Sequence, residues 1–463
     1  MNFWDSEIWV AIVQFGIIFS ILLFSNALRR KVSFIRKSLL PTAVVGGIVM
    51  LILKFIPFVQ DFIDKSFLEM ITYHTLGLGF IALALKVRKK REGSSMVIID
   101  TGAITVSTYV LQGIVGLLIT LFLSLSLMPD LFASAGLLLP LGFGQGPGQA
   151  LNFGKIYQGM GFVGGTDFGL AIAGVGFLVA CLGGVLILNI WRAQGKIKIN
   201  TESGPRALVS PMEVDAPEEI PLTESIDKFT IQMAFVVFSY FLTYLILVGL
   251  TELTTFLGDF GENTIKPLLW GFNFLFGVLV ATIVGTVLRK LKSSTIMTRQ
   301  YPNNFMLNRI GGFMFDIMVI ASIGAIEIKN IGHVIIPFLL ICLIGGFVSF
   351  LYVNAICKHV YPSYRYQAFF SMFGMLTGTA STGMILLREV DPNFETPAAT
   401  NLVLQNFPAI VFGFPLMLLL TFSPLGTLQS FITLGILALM FVGFNVLLLR
   451  RKIFKKMKGQ EGV

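Results

Sequence analysis

The sequence predicts an all-α polytopic membrane protein: two inverted-topology repeats, each of five transmembrane helices plus one re-entrant helical hairpin, followed by an extra C-terminal transmembrane helix. Three observations predict this class. Of 463 residues, 55% are hydrophobic and 13% charged, with mean hydropathy +0.82, a composition that excludes an ordinary soluble domain. Apolar segments near the roughly 20 residues needed to cross hydrocarbon recur about a dozen times, without the alternating pattern of a β-barrel. Two short, polar, glycine-bearing interruptions also lie about half the chain apart, Gly144–Ala150 and Leu376–Gly383.

The first segment, Ile8–Leu28, lacks a basic leader and a small-residue cleavage site and ends in Arg29-Arg30-Lys31, which marks a retained helix. Further spans are expected at Leu39–Val59, Met70–Leu85, Thr101–Leu127 and Phe168–Trp191. The second half supplies Phe229–Leu250, Ile265–Leu288, Phe305–Ala325, Val334–Val353 and Thr396–Phe422, and the extra span is Leu428–Leu449. The expected domains are therefore 1–195, a polar Pro-bearing cytoplasmic linker at 196–228 (Pro205, Pro211, Pro217, Pro221), 229–422, and a last helix with a basic tail at 423–463.

Lys and Arg cluster beside alternate ends of these spans, at Arg29–Lys37, Lys86–Arg91, Arg192–Lys198, Arg289–Lys292, Lys358–Arg365 and Arg450–Lys456. By the positive-inside rule these ends are cytoplasmic; the net charge of +9 is then a topology signal and not a nucleic-acid surface. Asp61, Asp64, Asp130, Glu252, Asp259 and Glu262 fall on the opposite side. The two sets agree only if 131–158 enters and leaves outside and 367–390 enters and leaves inside. The N-terminus is then external, the C-terminus is cytoplasmic, and the protein is multi-pass in the cell membrane. Cys181, Cys342 and Cys357 have no metal-like spacing, so neither a disulfide nor a zinc site is expected.

The interruptions carry the functional expectation. Gly costs about 1 kcal/mol and Pro about 3 kcal/mol in a helix interior, so Gly142-Phe143-Gly144-Gln145-Gly146-Pro147-Gly148-Gln149 must break the helix. At membrane depth a broken backbone needs protein or a water-filled cavity around it. Broken segments in corresponding places of two inverted halves point to a midplane transport site, with half-helix N-termini facing an anion and freed carbonyls facing Na⁺. Gly146, Gly148 and Gly378 expose backbone there. Gln145, Gln149 and Thr379 offer donors and acceptors, although inter-helix hydrogen bonding explains the amides equally.

Thr377, Ser381 and Thr382 are candidate Na⁺ ligands through their hydroxyls, or they cap helix carbonyls. Arg388 could clamp a carboxylate, or pair with Glu389 or reach for the interface. Asn401 and Gln405, four residues apart, make a polar stripe on one helix face. Asp316, an acid inside a span, is a further candidate for Na⁺ or a proton, unless it pairs with Arg309. Asp167 and Glu395 read as helix caps, and His74 as a satisfied core histidine.

The stretch Lys31–Lys37, Pro41–Gly47, Tyr109-Val110-Leu111-Gln112, the Gly144–Ala150 break and Gly378-Thr379-Ala380-Ser381-Thr382 together resemble the bacterial sodium/glutamate symporter (ESS) family, over nearly the whole chain up to about Phe422. The resemblance implies Na⁺-coupled uptake of L-glutamate or a related acidic amino acid, by an elevator-like mechanism, in a homodimer. It leaves open another organic anion, such as a hydroxycarboxylate or dicarboxylate, or coupling to protons. A passive channel fits less well, because the unequal halves give no four-fold filter. Neither paired intramembrane aspartates nor a nucleophile with a base, nor a nucleotide-binding loop, is present to support an enzyme or an ATP-driven pump.

Overall fold

The computed structural model describes residues 6–60, 62–86, 95–197, 222–258, 261–293, 302–392 and 395–457. Most of the expected 196–228 linker lies outside them, as do Asp61, Arg88, Lys89, Lys90, Arg91, Lys198 and Asp259. Among the described residues the regular structure is helical. Ten helices among the described residues are long and apolar enough to cross a membrane, and Thr42–Leu53 is a shorter apolar helix. The chain is thus a polytopic, all-helical membrane protein.

In chain order, α1 is Ser6–Lys31, α2 Thr42–Leu53, α3 Lys65–Ala84 and α4 Ser95–Ser126. The first interrupted stretch follows as a 3₁₀ turn at Ala133–Leu137, a π turn at Pro140–Gln145, and α5, Pro147–Gly159. Next, α6 runs over Gly165–Ala193 with a π turn at Val179–Gly183. The second half gives α7 Leu222–Thr254, α8 Asn273–Ser293, α9 Asn304–Ala325 and α10 Ile335–Val360. The second interrupted stretch is α11, Arg365–Thr377, and α12, Ala380–Arg388; α13 Ala398–Leu404, α14 Asn406–Phe422 and α15 Thr427–Met457 complete the chain.

Each expected span has its helix, but the ends move. Leu39–Val59 contracts to α2 because Pro41 sets its first turn and Lys54 its last, with Leu39 before it at φ 58°. Ile265–Leu288 is divided at Phe272 between a short helix, Lys266–Gly271, and α8. Thr396–Phe422 is divided at Gln405.

The chain forms two compact units. One comprises 1–69, 92–199 and 320–463, and so holds both interrupted stretches; the other comprises 70–91 and 200–319.

Within the first unit α4 is the central helix, packed by the Ala133–Leu137 turn, α10, α14 and α15. Glycine makes the closest approach possible: a Cβ on Gly136 would meet the Gly116 backbone, and a Cβ on Gly116 would meet that of Gly136. Buried hydroxyls close the other seams. Ser107 Oγ lies 2.6 Å from Tyr352 Oη, which donates to Asn445 Oδ1 at 3.1 Å, joining α4, α10 and α15. Arg450 donates to Asp100 at 2.7 Å. An aromatic cluster of Trp191, Phe369, Phe370 and Phe373 fills the space between α6 and α11.

The second unit packs α3, α7, α8 and α9 around Ile81, Val236, Ala281, Leu307 and Ile310. Tyr240 Oη is 2.7 Å from His74 Nδ1 and accepts from Asn273 at 3.2 Å. His74 therefore has its partner, although it stands on an exposed helix face and not in the core.

Candidate functional site

The first interruption takes its shape from three residues. Pro140 opens the π turn and Pro147 opens α5, where its missing N–H leaves no intrahelical bond unmade. Between them Gly146 adopts φ 91° and ψ 177°, a conformation that L side chains rarely reach. A new helix starts there, and α5 lies along α6 at glycine distance: a Cβ on Gly154 would be 2.6 Å from Gly165 O, and one on Gly169 2.6 Å from Ala150 O.

At the second interruption α11 ends at Gly378, Thr379 is extended, and α12 folds back on α11. The contact point is again two glycines, with a Cβ on Gly374 only 2.8 Å from Gly383 Cα.

The two breaks meet. A Cβ on Gly146 would have one neighbour within 4 Å, Thr379 Cγ2 at 3.7 Å. Helix α6 passes beside both, since a Cβ on Gly176 would lie 2.5 Å from Thr377 O and 3.0 Å from the Phe143 ring. Helix α4 ties them together: Tyr109 Oη donates to Gly144 O at 2.9 Å, and Gln112 Nε2, one turn on, donates to Leu376 O at 2.9 Å and to Ser349 Oγ at 2.9 Å. Gly144 is required because any side chain there would run into the Tyr109 ring.

Two helix N-termini, of α5 and α12, therefore start at one place. Neither carries a side-chain cap. Their first-turn N–H groups and macrodipoles make such ends favourable for an anion. Around the breaks stand buried amide atoms with no partner: Gln145 Nε2, both polar atoms of Gln149, Gln112 Oε1 and Gln405 Oε1. Gln112, Gln149 and Gln405 are each 1% exposed, and a buried amide left unpaired costs about 1–3 kcal/mol. Such a cluster is what a polar ligand or ordered water would satisfy.

Of the residues expected at the site, Gln145, Gly146, Gly148, Gln149, Thr377, Gly378, Thr379, Ser381 and Thr382 all lie on the two breaks. Thr377 Oγ1 donates to Phe373 O at 2.7 Å, so this hydroxyl satisfies a helix carbonyl. Thr379 and Thr382 hydroxyls are 3.4 Å apart, and Ser381 is exposed. Gln405 reaches Met375 Sδ at 3.2 Å and Asn406 Oδ1 at 3.0 Å, one turn short of the second break. Asn401 instead donates to Tyr364 Oη at 2.9 Å; burial pushes that phenol up to about 12, which keeps its hydroxyl protonated.

Arg388 and Asp316, like Asn401, are not gathered here. Arg388 ends α12, about 12 Å along the helix axis from its first residue, Ala380. Asp316 belongs to the second unit, where it is exposed on α9, while Arg309 lies over the Phe305 ring at 5.1 Å.

No family model, no curated protein and no solved structure matches this chain.

Two features escape a reading of the sequence. Tyr109 and Gln112 become functional candidates only when their three-residue spacing is seen to serve two different breaks. Asp167, expected as a cap, is instead the centre of a buried ionic cluster. Its carboxylate accepts from Lys65 Nζ at 2.9 and 3.0 Å, from Glu327 N at 2.9 Å and from Asn330 Nδ2 at 2.7 Å. Glu69 pairs with Lys155 at 2.7 Å beside it. The turn before α13 is likewise held by Asp391, which accepts from Glu395 N and Thr396 N at 2.9 Å each.

Proposed function

We propose that this chain is a secondary active transporter that couples Na⁺ entry to uptake of a small organic anion, L-glutamate or a related acidic amino acid. The supporting observation is the meeting of two uncapped helix N-termini at Gly146 and Thr379, with buried, unpartnered amide atoms around them. In this reading the two interrupted stretches are re-entrant hairpins of two inverted repeats, entering from opposite faces of the cell membrane. The substrate carboxylates sit against the helix N-termini and the Gln145 and Gln149 amides. Na⁺ takes carbonyl and hydroxyl oxygens near Gly378, Thr379 and Thr382. Each ligand makes the other's charge tolerable in a low-dielectric site, so their binding is thermodynamically coupled. Alternating access is elevator-like, and the protein is a homodimer.

One observation favours a second reading. The residues that surround the breaks are uncharged, with Arg388 a helix-length away, and such a site also suits a hydroxycarboxylate or dicarboxylate.

The test is L-glutamate uptake into proteoliposomes with an inward Na⁺ gradient, compared with K⁺ replacement and with a Gly146→Val/Gly378→Val variant. Na⁺-dependent accumulation that the variant loses supports the reading. Accumulation indifferent to Na⁺, or none by folded protein, refutes it for glutamate, and competition by other anions then decides the second reading.

A further inference from the structure

We infer that one face of α9 lines a water-filled route ending at Asp316, and that this carboxylate makes the route selective for monovalent cations over anions. The route is separate from the two breaks, and only its orientation in the membrane is taken from the transport reading above.

Three exposed residues of α9 define the face. Asn308, Gly312 and Asp316 follow one another four residues apart, so at 3.6 residues per turn they fall within an arc of about 80°. Leu307, Ile310, Met314 and Ile317 on the remaining surface of the helix are buried, while Arg309 and Phe313 border the strip on its exposed side. There is room beside it, because a Cβ on Gly312 would have nothing within 4 Å. The next residue in the series, Ile320, closes it. A Cβ on Gly46 of α2 would lie 3.2 Å from the Ile320 side chain, and one on Gly47 only 2.6 Å from that of Ile323. The strip is thus open from the first turns of α9 as far as Asp316 and sealed immediately beyond.

Depth decides what fills the strip. Of the 22 residues of α9, Asp316 stands about 18 Å from the first and about 14 Å from the last. An acid at that depth is unfavourable against hydrocarbon and turns to a protein partner or to water. Among the described residues Asp316 has neither a hydrogen bond nor an ion pair. Arg309 does not reach it, being about 10 Å away along the helix axis with its guanidinium over the Phe305 ring at 5.1 Å. Water therefore meets the carboxylate, and it enters from the Asn308 end, which follows the Arg289–Lys292 cluster in the chain and is cytoplasmic in the transport reading. A carboxylate at the closed end of an aqueous strip with low-dielectric walls concentrates hydrated cations and repels anions.

The experiment labels single introduced cysteines in full-length protein in proteoliposomes, where Cys181, Cys342 and Cys357 are buried. Gly312→Cys has open space for its side chain, Asp316→Cys probes the deep end, and Asn308→Cys replaces Gly312→Cys should that variant not fold. The reagents are cationic trimethylammonioethyl methanethiosulfonate, anionic sulfonatoethyl methanethiosulfonate, and N-ethylmaleimide, which also enters lipid. Ile283→Cys, in the middle of α8 and 63% exposed, is the control for a lipid-facing position. Both charged reagents should label Gly312→Cys and Asp316→Cys, and neither should label Ile283→Cys. The cationic reagent should be about tenfold faster than the anionic one at Gly312→Cys, and adding Asp316→Asn should bring that ratio close to one. Labelling of Gly312→Cys and Asp316→Cys by N-ethylmaleimide alone, or by no reagent, overturns the inference, because lipid or protein then covers the strip. A ratio near one while Asp316 is present, or one that Asp316→Asn leaves unchanged, overturns the cation preference. These rates are read without substrate or Na⁺, so they stand or fall apart from the uptake assay.

Discussion

Asp167 offers the clearest contrast between two magnitudes. As a residue of the first turn of α6 it would contribute about 0.3–1 kcal/mol through the helix dipole, and its replacement by Asn would be nearly silent. The observed geometry demands much more. Oδ1 accepts from Lys65 Nζ and Glu327 N, Oδ2 accepts from Lys65 Nζ and Asn330 Nδ2, and the side chain is 2% exposed. Asn can keep one of these oxygens; its amide then points donors at donors. Removing one partner of a buried pair costs about 3–5 kcal/mol. Lys65 is a quarter exposed and has Glu69 at 3.8 Å and Glu327 at 4.0 Å in reserve, which brings the expectation for Asp167→Asn to about 2–3 kcal/mol. Reversible unfolding of the purified protein measures it, together with Lys65→Met and the double variant. The double variant should be less destabilised than the sum of the singles, by about 1–3 kcal/mol, because each single leaves the same charge pair half made. A loss under about 1 kcal/mol for Asp167→Asn, or strict additivity with Lys65→Met, refutes the anchoring role and restores the cap.

Two further outcomes follow from the packing and the site. Gly136→Ala places a methyl group on the Gly116 backbone, an obstacle that cannot rotate away, so it should destabilise by at least about 1–3 kcal/mol, whereas Gly435→Ala on α15, with nothing within 4 Å, should be tolerated in the same unfolding assay. Gln149→Leu should raise the transport KM about tenfold or more, while Arg388→Gln, acting a helix-length from the breaks, should change it far less; the opposite ranking would return the guanidinium to the substrate.

How much of this was legible in the sequence depends on the range of the interaction. The helices were, because hydropathy over about 20 residues is a local sum that burial does not alter. The breaks were, since Gly146 and Pro147 act on their own backbone. The boundaries of α2 and α8 were less so, because a proline before α2 and a turn at Phe272 before α8 shorten spans that hydropathy alone extends. What stayed hidden was pairing across long sequence separations. Tyr109 meets Gly144 across 35 residues and Gln112 meets Leu376 across 264, and the spacing of the two side chains on α4 signals neither partner. Arg388 shows the converse error: its chemistry suits a carboxylate, yet the nine residues of α12 carry it away from the end of the helix where an anion is favoured. A helix that starts at a break presents its donors at the break and its basic last turn elsewhere. The physical consequence is that anion recognition falls to backbone dipoles and amides, and a charged ligand then needs a counter-ion beside it.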